Sequence, residues 1–167
     1  MALNIRRLSK HLLSNRARVR KAFSPQGLKR IEGAIKASEA RHTGQIRFVV
    51  EGALDGRPLL AGQSARERAL DLFAHLRIWD TENNSGVLIY LLLADRDVEI
   101  VADRGIDAKV GAERWREVCA IMESAFRQGH FEQGVLSGIE RITAELAAHF
   151  PAYDTHRNEL PDPPVVL

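Results

Sequence analysis

Two short stretches of this 167-residue chain carry the clearest chemical signal: Asp80-Thr-Glu-Asn-Asn-Ser85 and Asp103-Arg-Gly-Ile-Asp107. Carboxylates together with amide oxygens are what a hard divalent cation such as Ca²⁺ or Mg²⁺ takes as ligands. Glu82, Asn84, Asp103 and Asp107 are the candidate ligands, and Asp80, Asn83, Arg104 and Gly105 line the same candidate cleft. The same residue types also cap helices and turns, because Asp and Asn side chains bond to nearby backbone N–H groups. Both readings stand on the residues alone. A second candidate site is Glu51, Asp55 and Asp95. Open α/β sheets bind ligands at the carboxyl ends of their strands, and Gly52 and Gly56 would allow backbone access there. Asp95-Arg96-Asp97 reads equally well as a polar hairpin turn.

No sequence motif supplies a catalytic residue. HExxH, GxSxG, a Walker loop and GxGxxG are all missing from the sequence. The six histidines show no metal-ligand spacing and read as surface or edge residues. Cys119 lies on an apolar helical stripe and reads as a buried structural thiol. Trp79 and Trp115 read as core or cleft-wall residues.

The elements that position these residues follow from periodicity. Ser24-Pro25 is a helix start, and Leu28, Ile31 and Ile35 share a face of a helix running to about Arg41. Gln45 to Val50 alternates as a strand. Ser64-Ala-Arg-Glu67 is a complete capping box, opening a helix that stops near Trp79. Gly86 to Ala94 is apolar on both faces, as in a central strand covered on both sides. Val98, Ile100 and Ala102 form its antiparallel partner. With Asp95-Arg96 as a two-residue turn, Gly86 faces Gly105 and Asn84 faces Asp107, so the two acidic connectors converge. Two helices follow, one carrying Trp115, Val118, Met122 and Phe126, the other Val135, Ile139, Ile142 and Leu146. The order predicts an α/β fold: a small mixed β-sheet flanked by helices on both faces.

Lys and Arg number 24 against 22 Asp and Glu, so the net charge of +2 gives no reason to expect nucleic-acid binding. The balance hides an asymmetry. Residues 1–23 contain Arg6, Arg7, Lys10, Arg16, Arg18, Arg20 and Lys21 and no acidic residue. This segment reads as a basic amphipathic helix, with Arg6, Arg7, Lys10, Arg16 and Arg20 the candidate contacts to an anionic membrane surface or a protein partner. It reads equally as a helix packed on its own domain, or as a targeting segment. Residues 24–151 form the folded domain. Four of the six prolines lie beyond residue 150, so 152–167 is expected to be a Pro-rich mobile or loosely docked tail. The longest apolar run, Gly86 to Ala94, is far short of the ~20 residues of a membrane-spanning helix, and a single cysteine excludes an internal disulfide. A cytoplasmic protein, peripheral on the inner membrane face, is the expected localisation.

Trp79 to Ala94 and Asp97 to Ile106 resemble the central stretch of the TPM domain, named for thylakoid-lumen, photosystem II repair and receptor-modulator proteins. The flanks agree: Ser38-Glu39, His42 and Gly44 before the first strand, then Trp115, Phe126, Phe131, Gly134, Gly138-Ile139 and Phe150-Pro151. The resemblance covers about residues 25–151 and is closest to the short bacterial branch of the family. It implies a Rossmann-like α/β/α sandwich. It also implies divalent-cation binding, acid phosphatase activity, or a role in protein repair or receptor modulation. The matching cleft positions are Asn83 to Gly86 and Asp103 to Gly105. Gln45 stands where some relatives have glutamate, and Gly105 replaces a Gly-x-Gly.

Two functions follow as expectations. One is a non-catalytic interaction or regulatory module acting near a membrane or membrane complex, with a cation held at the hairpin-end loops. The other is a divalent-cation-dependent phosphatase acting on phosphate esters. There Arg104 would clamp the phosphate, and no residue stands out as nucleophile.

Overall fold

The computed structural model describes residues 5–12, 16–154 and 156–167. Its centre is a four-stranded sheet in the order β3-β2-β1-β4. Strand β1 (Gln45–Glu51) pairs in parallel with β2 (Gly86–Leu92), and β2 pairs antiparallel with β3 (Asp97–Ala102). Every residue of β1 and β2 is buried, which is why both read as apolar runs.

Alternation sends side chains to two cores. Ile46, Phe48 and Val50 of β1, with Val87, Ile89 and Leu91 of β2, pack under α3 (Pro25–Glu39), α7 (Ala112–Arg127) and α8 (Phe131–His149). Val49, Leu88, Tyr90 and Leu92 face the other way, against α5 (Ala65–His75). Small residues let α7 and α8 pack closely: a Cβ on Gly134 would stand 2.6 Å from the Phe126 ring. Two expected helix starts are as read. Ser24 accepts from the Gly27 N–H, and Ser64 and Glu67 complete the reciprocal box. The mixed α/β sandwich is thus the fold that the pattern predicts.

Several local expectations are corrected. The hairpin turn spans four residues, Leu93 to Arg96, so Leu92 pairs with Asp97 and Val87 with Ala102. This slides the register by two, and the Asp103 N–H reaches the Gly86 carbonyl. Beyond it the chain enters a short helix, α6 (Arg104–Val110), where a loop was expected. Another short helix, α4 (Gly56–Leu60), follows β1. His11 and His42 are buried rather than superficial, whereas Trp79 is half exposed, beneath the Arg77 guanidinium.

Both termini are more engaged than composition suggests. The basic segment is two short helices, α1 (Ile5–Leu12) and α2 (Arg16–Ala22), and Val19 and Phe23 are only 1% exposed in the core. The Pro-rich segment is docked: Val165–Val166 forms β4, parallel to β1, and the Leu167 N–H donates to the Val50 carbonyl. Prolines need no ladder hydrogen bond from their own nitrogen, so they fit the connecting stretch of an edge strand. Among the described residues, no helix is long and apolar enough to cross a membrane.

The docked tail also sets a like charge beside a half-buried carboxyl. Glu39, at the end of α3, has its pKa raised to about 7, first by burial and then by Asp162, against the opposing pull of His156 and Lys36. A carboxyl raised above its unfolded value stabilises the fold below the unfolded pKa, and that contribution is lost as pH rises through the folded value. Glu39→Gln should therefore gain thermal stability relative to the wild type between about pH 5 and about pH 8. Paired melting curves at the two pH values test this, and a constant difference would contradict it.

Candidate functional site

The hairpin-end loops do converge. The Ile106 N–H donates to the Asn84 carbonyl, and Arg104 Nε lies 3.2 Å from Asn84 Oδ1. The approach is close enough that a Cβ on Gly105 would stand 2.6 Å from the carbonyl oxygens of both Asn83 and Asn84. Glycine is required here for space, not for its φ. Asn84 itself takes φ +50°, a conformation that Asn tolerates better than most residues.

One oxygen each of Asn84, Asp103 and Asp107 already has a partner. Asp103 caps α6, its Oδ1 accepting from the Arg104 N–H at 2.7 Å, and Asp107 Oδ1 accepts from Trp115 Nε1 at 2.9 Å. Asn84 Oδ1 holds Arg104, Asp80 pairs with Arg77, and the Glu82 N–H donates to Glu159 of the tail. Asp103 Oδ2 is a buried carboxylate oxygen with no hydrogen-bond partner. Among the described residues, no three His, Cys, Asp or Glu side chains group as a metal site.

The opposite end of the sheet holds the second candidate set, and here Glu51 and Asp95 are separately occupied. Glu51 receives two parallel bonds from Arg68, Nε to Oε2 and Nη2 to Oε1, both 2.9 Å, and the Tyr90 hydroxyl donates to Oε2 at 2.7 Å. Burial, reinforced by the Glu51 charge, pushes the Tyr90 phenol well above its ordinary pKa, so it stays a donor. Asp55 precedes α4 and makes no side-chain cap bond. Asp95 is taken by α1: Arg7 Nε lies 2.9 Å from Oδ2, and His11 Nε2 lies 3.2 Å from Oδ1. His11 Nδ1 accepts from the Leu54 N–H at 2.9 Å, and Arg7 Nη2 donates to the Gln63 carbonyl. Helix α1 therefore lies across the carboxyl ends of β1 and β2, where a ligand was expected.

Beside α1 is a cleft of about 640 Å³ lined by Lys10, Arg18, Lys21, Leu93, Ala94, Asp95, Arg96, Gly129 and Phe131, among others. Sequence reasoning missed this assembly because its cations come from three separate segments. The run of basic residues within 1–23 was the available signal, while the approach of Arg96 to it depends on the fold. Cys119 plays no part: burial pushes its thiol up to about 12, leaving it protonated.

The family model of the TPM domain matches residues 19–145, well over half of the chain. This chain belongs to the TPM-domain family. The TPM fold is seen again in two solved structures. The NMR structure of the BA42 protein from the psychrophilic bacterium Bizionia argentinensis is 29% identical, with a TM-score of 0.76, covering 87% of this chain and 95% of that one. The N-terminal domain of a P. gingivalis protein is 18% identical, with a TM-score of 0.63, covering 79% and 83% respectively. No curated protein matches this sequence. The TPM match begins at Val19, so it includes the core residues of α2 and leaves α1 outside.

Proposed function

We propose that this TPM-domain protein is a non-catalytic interaction module that docks on an anionic membrane surface through the basic side of α1 and α2. The observation that carries the reading is how these helices spend their apolar residues. Val19 and Phe23 are in the core and His11 is 3% exposed, so the helices are fixed to the domain. Arg6, Lys10 and Arg20 are left exposed. Docking is then electrostatic, with Leu12, 74% exposed at the end of α1, available for shallow apolar contact.

Each basic residue near an anionic leaflet contributes about 1 kcal/mol. The triple variant Arg6→Glu, Lys10→Glu, Arg20→Glu should lose essentially all co-sedimentation with phosphatidylglycerol vesicles, while phosphatidylcholine vesicles retain neither protein. Undiminished pelleting of the variant would refute the reading. Deleting residues 1–23 is the wrong test, because it removes Val19 and Phe23 from the core.

The cation reading extends the proposal at the other end of the sheet, supported by the unpartnered Asp103 Oδ2. Asp103 and Asn84 would hold Ca²⁺ or Mg²⁺ there, with Arg104 released from Asn84. Asp107 is less suited, because its Oδ1 is engaged by Trp115. Titration with Ca²⁺ should then shift the amides of Asn84 and Arg104 saturably, and Asp103→Asn should abolish the shift. Shifts that persist in that variant would place the ion elsewhere. The phosphatase reading draws no support from a nucleophile, and the Arg104 clamp is occupied by Asn84.

A further inference from the structure

We propose that residues 156–167 form a proton-held strap along the edge of β1, docked while His156 and the Glu39–Asp162 pair keep their protons and released when they lose them. The strap is thinly fastened to the sheet. Its strand β4 is two residues long, and Val165 and Val166 pair with Val49 and Val50. Further fastenings are individual hydrogen bonds. The Leu167 N–H donates to the Val50 carbonyl, and the Gly52 N–H donates to the Leu167 carbonyl. The Glu159 and Leu160 N–H groups donate to Gln45 Oε1, and Arg47 Nη1 donates to the Pro163 carbonyl. These groups keep their protonation states across the neutral range.

Two contacts at the end of α3 do depend on protons. His156 Nδ1 faces the Tyr153 carbonyl, and Nε2 faces the Glu39 carbonyl at 2.9 Å. Carbonyls only accept, so both ring nitrogens donate only in the imidazolium, and loss of one proton breaks one of the two bonds. Those bonds, Tyr153 first and Glu39 second, raise the His156 pKa. Beside them the Glu39 carboxyl is hydrogen-bonded to Asp162 of the strap, a bond that two carboxyl groups make only while they share a proton. The surrounding charges do not titrate in this range. Lys36 of α3 lowers the Glu39 pKa and Arg47 of β1 attracts Asp162, and both stay cationic. His42, lowered to about 4 by burial, stays neutral. A group whose docked pKa lies above its free value holds the strap fully below the free value and loses that hold as pH rises through the docked one. For Glu39 the window runs from the ordinary 4.5 to about 7, and His156 acts in the same direction. Release frees the Val50 carbonyl and the Gly52 N–H, and open edge groups of this kind accept a strand from another chain.

Amide hydrogen exchange of the full chain tests the strap, because protection factors remove the intrinsic pH dependence of exchange. From about pH 5 to about pH 8 the protection of the Leu167 and Gly52 amides should fall at least about tenfold. At about pH 8 it should also lie at least about tenfold below that of the β2 amides, which marks release without unfolding. Glu39→Gln keeps a donor to Asp162 at every pH and should recover at least about threefold of the protection lost at about pH 8. Glu39→Gln with His156→Lys keeps donors at both positions, and its protection should change less than about twofold over the range. Protection that is flat with pH in the wild type overturns the proton dependence. Protection equal to that of β2 shows that the strap leaves only with the whole fold, and overturns the strap. No recovery in Glu39→Gln, or an undiminished fall in the double variant, overturns the assignment to these two contacts.

Discussion

Gly86→Ala should leave little or no native protein. Gly86 opens β2, and a Cβ there would be driven into the carbonyl oxygen of Ile78, with the Ile78 Cγ2 only 2.9 Å away. The obstacle is backbone, so no rotamer change relieves it. Ile78 is itself fully buried under the second core, and the Gly86 carbonyl accepts the Asp103 N–H that places α6. Accommodating the methyl would push the α5–β2 connection off the sheet and disturb the hairpin-end loops together. A loss of more than about 4 kcal/mol is expected, at the extreme of single substitutions. Soluble yield and thermal melting measure it. A variant melting within a few degrees of the wild type would show that the connection moves freely, contrary to the packing described.

The second large effect is at Arg68. Its guanidinium is the counter-ion of Glu51, whose side chain is 9% exposed, while Arg68 itself is 26% exposed. Arg68→Ala leaves a buried carboxylate held only by the Tyr90 hydroxyl. Removing one partner of a buried pair costs roughly 3–5 kcal/mol, and solvent access to Arg68 reduces that to about 2–4 kcal/mol here. For a chain of this size the midpoint should fall by roughly 4–16 °C. Replacing the whole network with apolar residues, by Glu51→Leu, Arg68→Met and Tyr90→Phe together, should recover most of the loss. Buried ion pairs gain little over well-packed apolar groups of similar volume. If the single variant melts like the wild type, water reaches Glu51 and the pair is a surface contact.

Much of the architecture is legible from residue order because its signals are local. The capping box at Ser64, the cap at Ser24, the alternation of Gln45 to Val50 and the apolar run of β2 each act through neighbours in sequence. What escaped depends on distant partners. The edge strand Val165–Val166 is two residues long and gains its place from β1, more than a hundred residues away, while four prolines dominate the composition around it. The turn length could not be read from Asp95-Arg96, since Leu93 and Ala94 continue the apolar pattern of β2 but belong to the loop. Asp103 reads equally as ligand and cap, and only the Arg104 N–H beneath its Oδ1 shows the cap.

The charge asymmetry of the first 23 residues was plain, but its consequence was not. Periodicity showed an apolar side without showing what covers it. In the structure that side is spent on the domain through Val19 and Phe23, and His11 and Arg7 reach over the sheet to Leu54 and Asp95. The second candidate site is therefore filled by the chain's own first helix, and the accessible space moves sideways, to the cleft between α1, α2 and the start of α8.

The most direct test of the docking account is amide NMR of the full chain bound to anionic bilayers carrying a spin-labelled lipid. The account predicts that broadening is strongest in α1, α2 and the Arg96 turn, around Arg6, Lys10 and Arg20, and fades as salt rises. Broadening centred on the outer faces of α7 and α8, or at the Asn84–Asp103 end of the sheet, would contradict it.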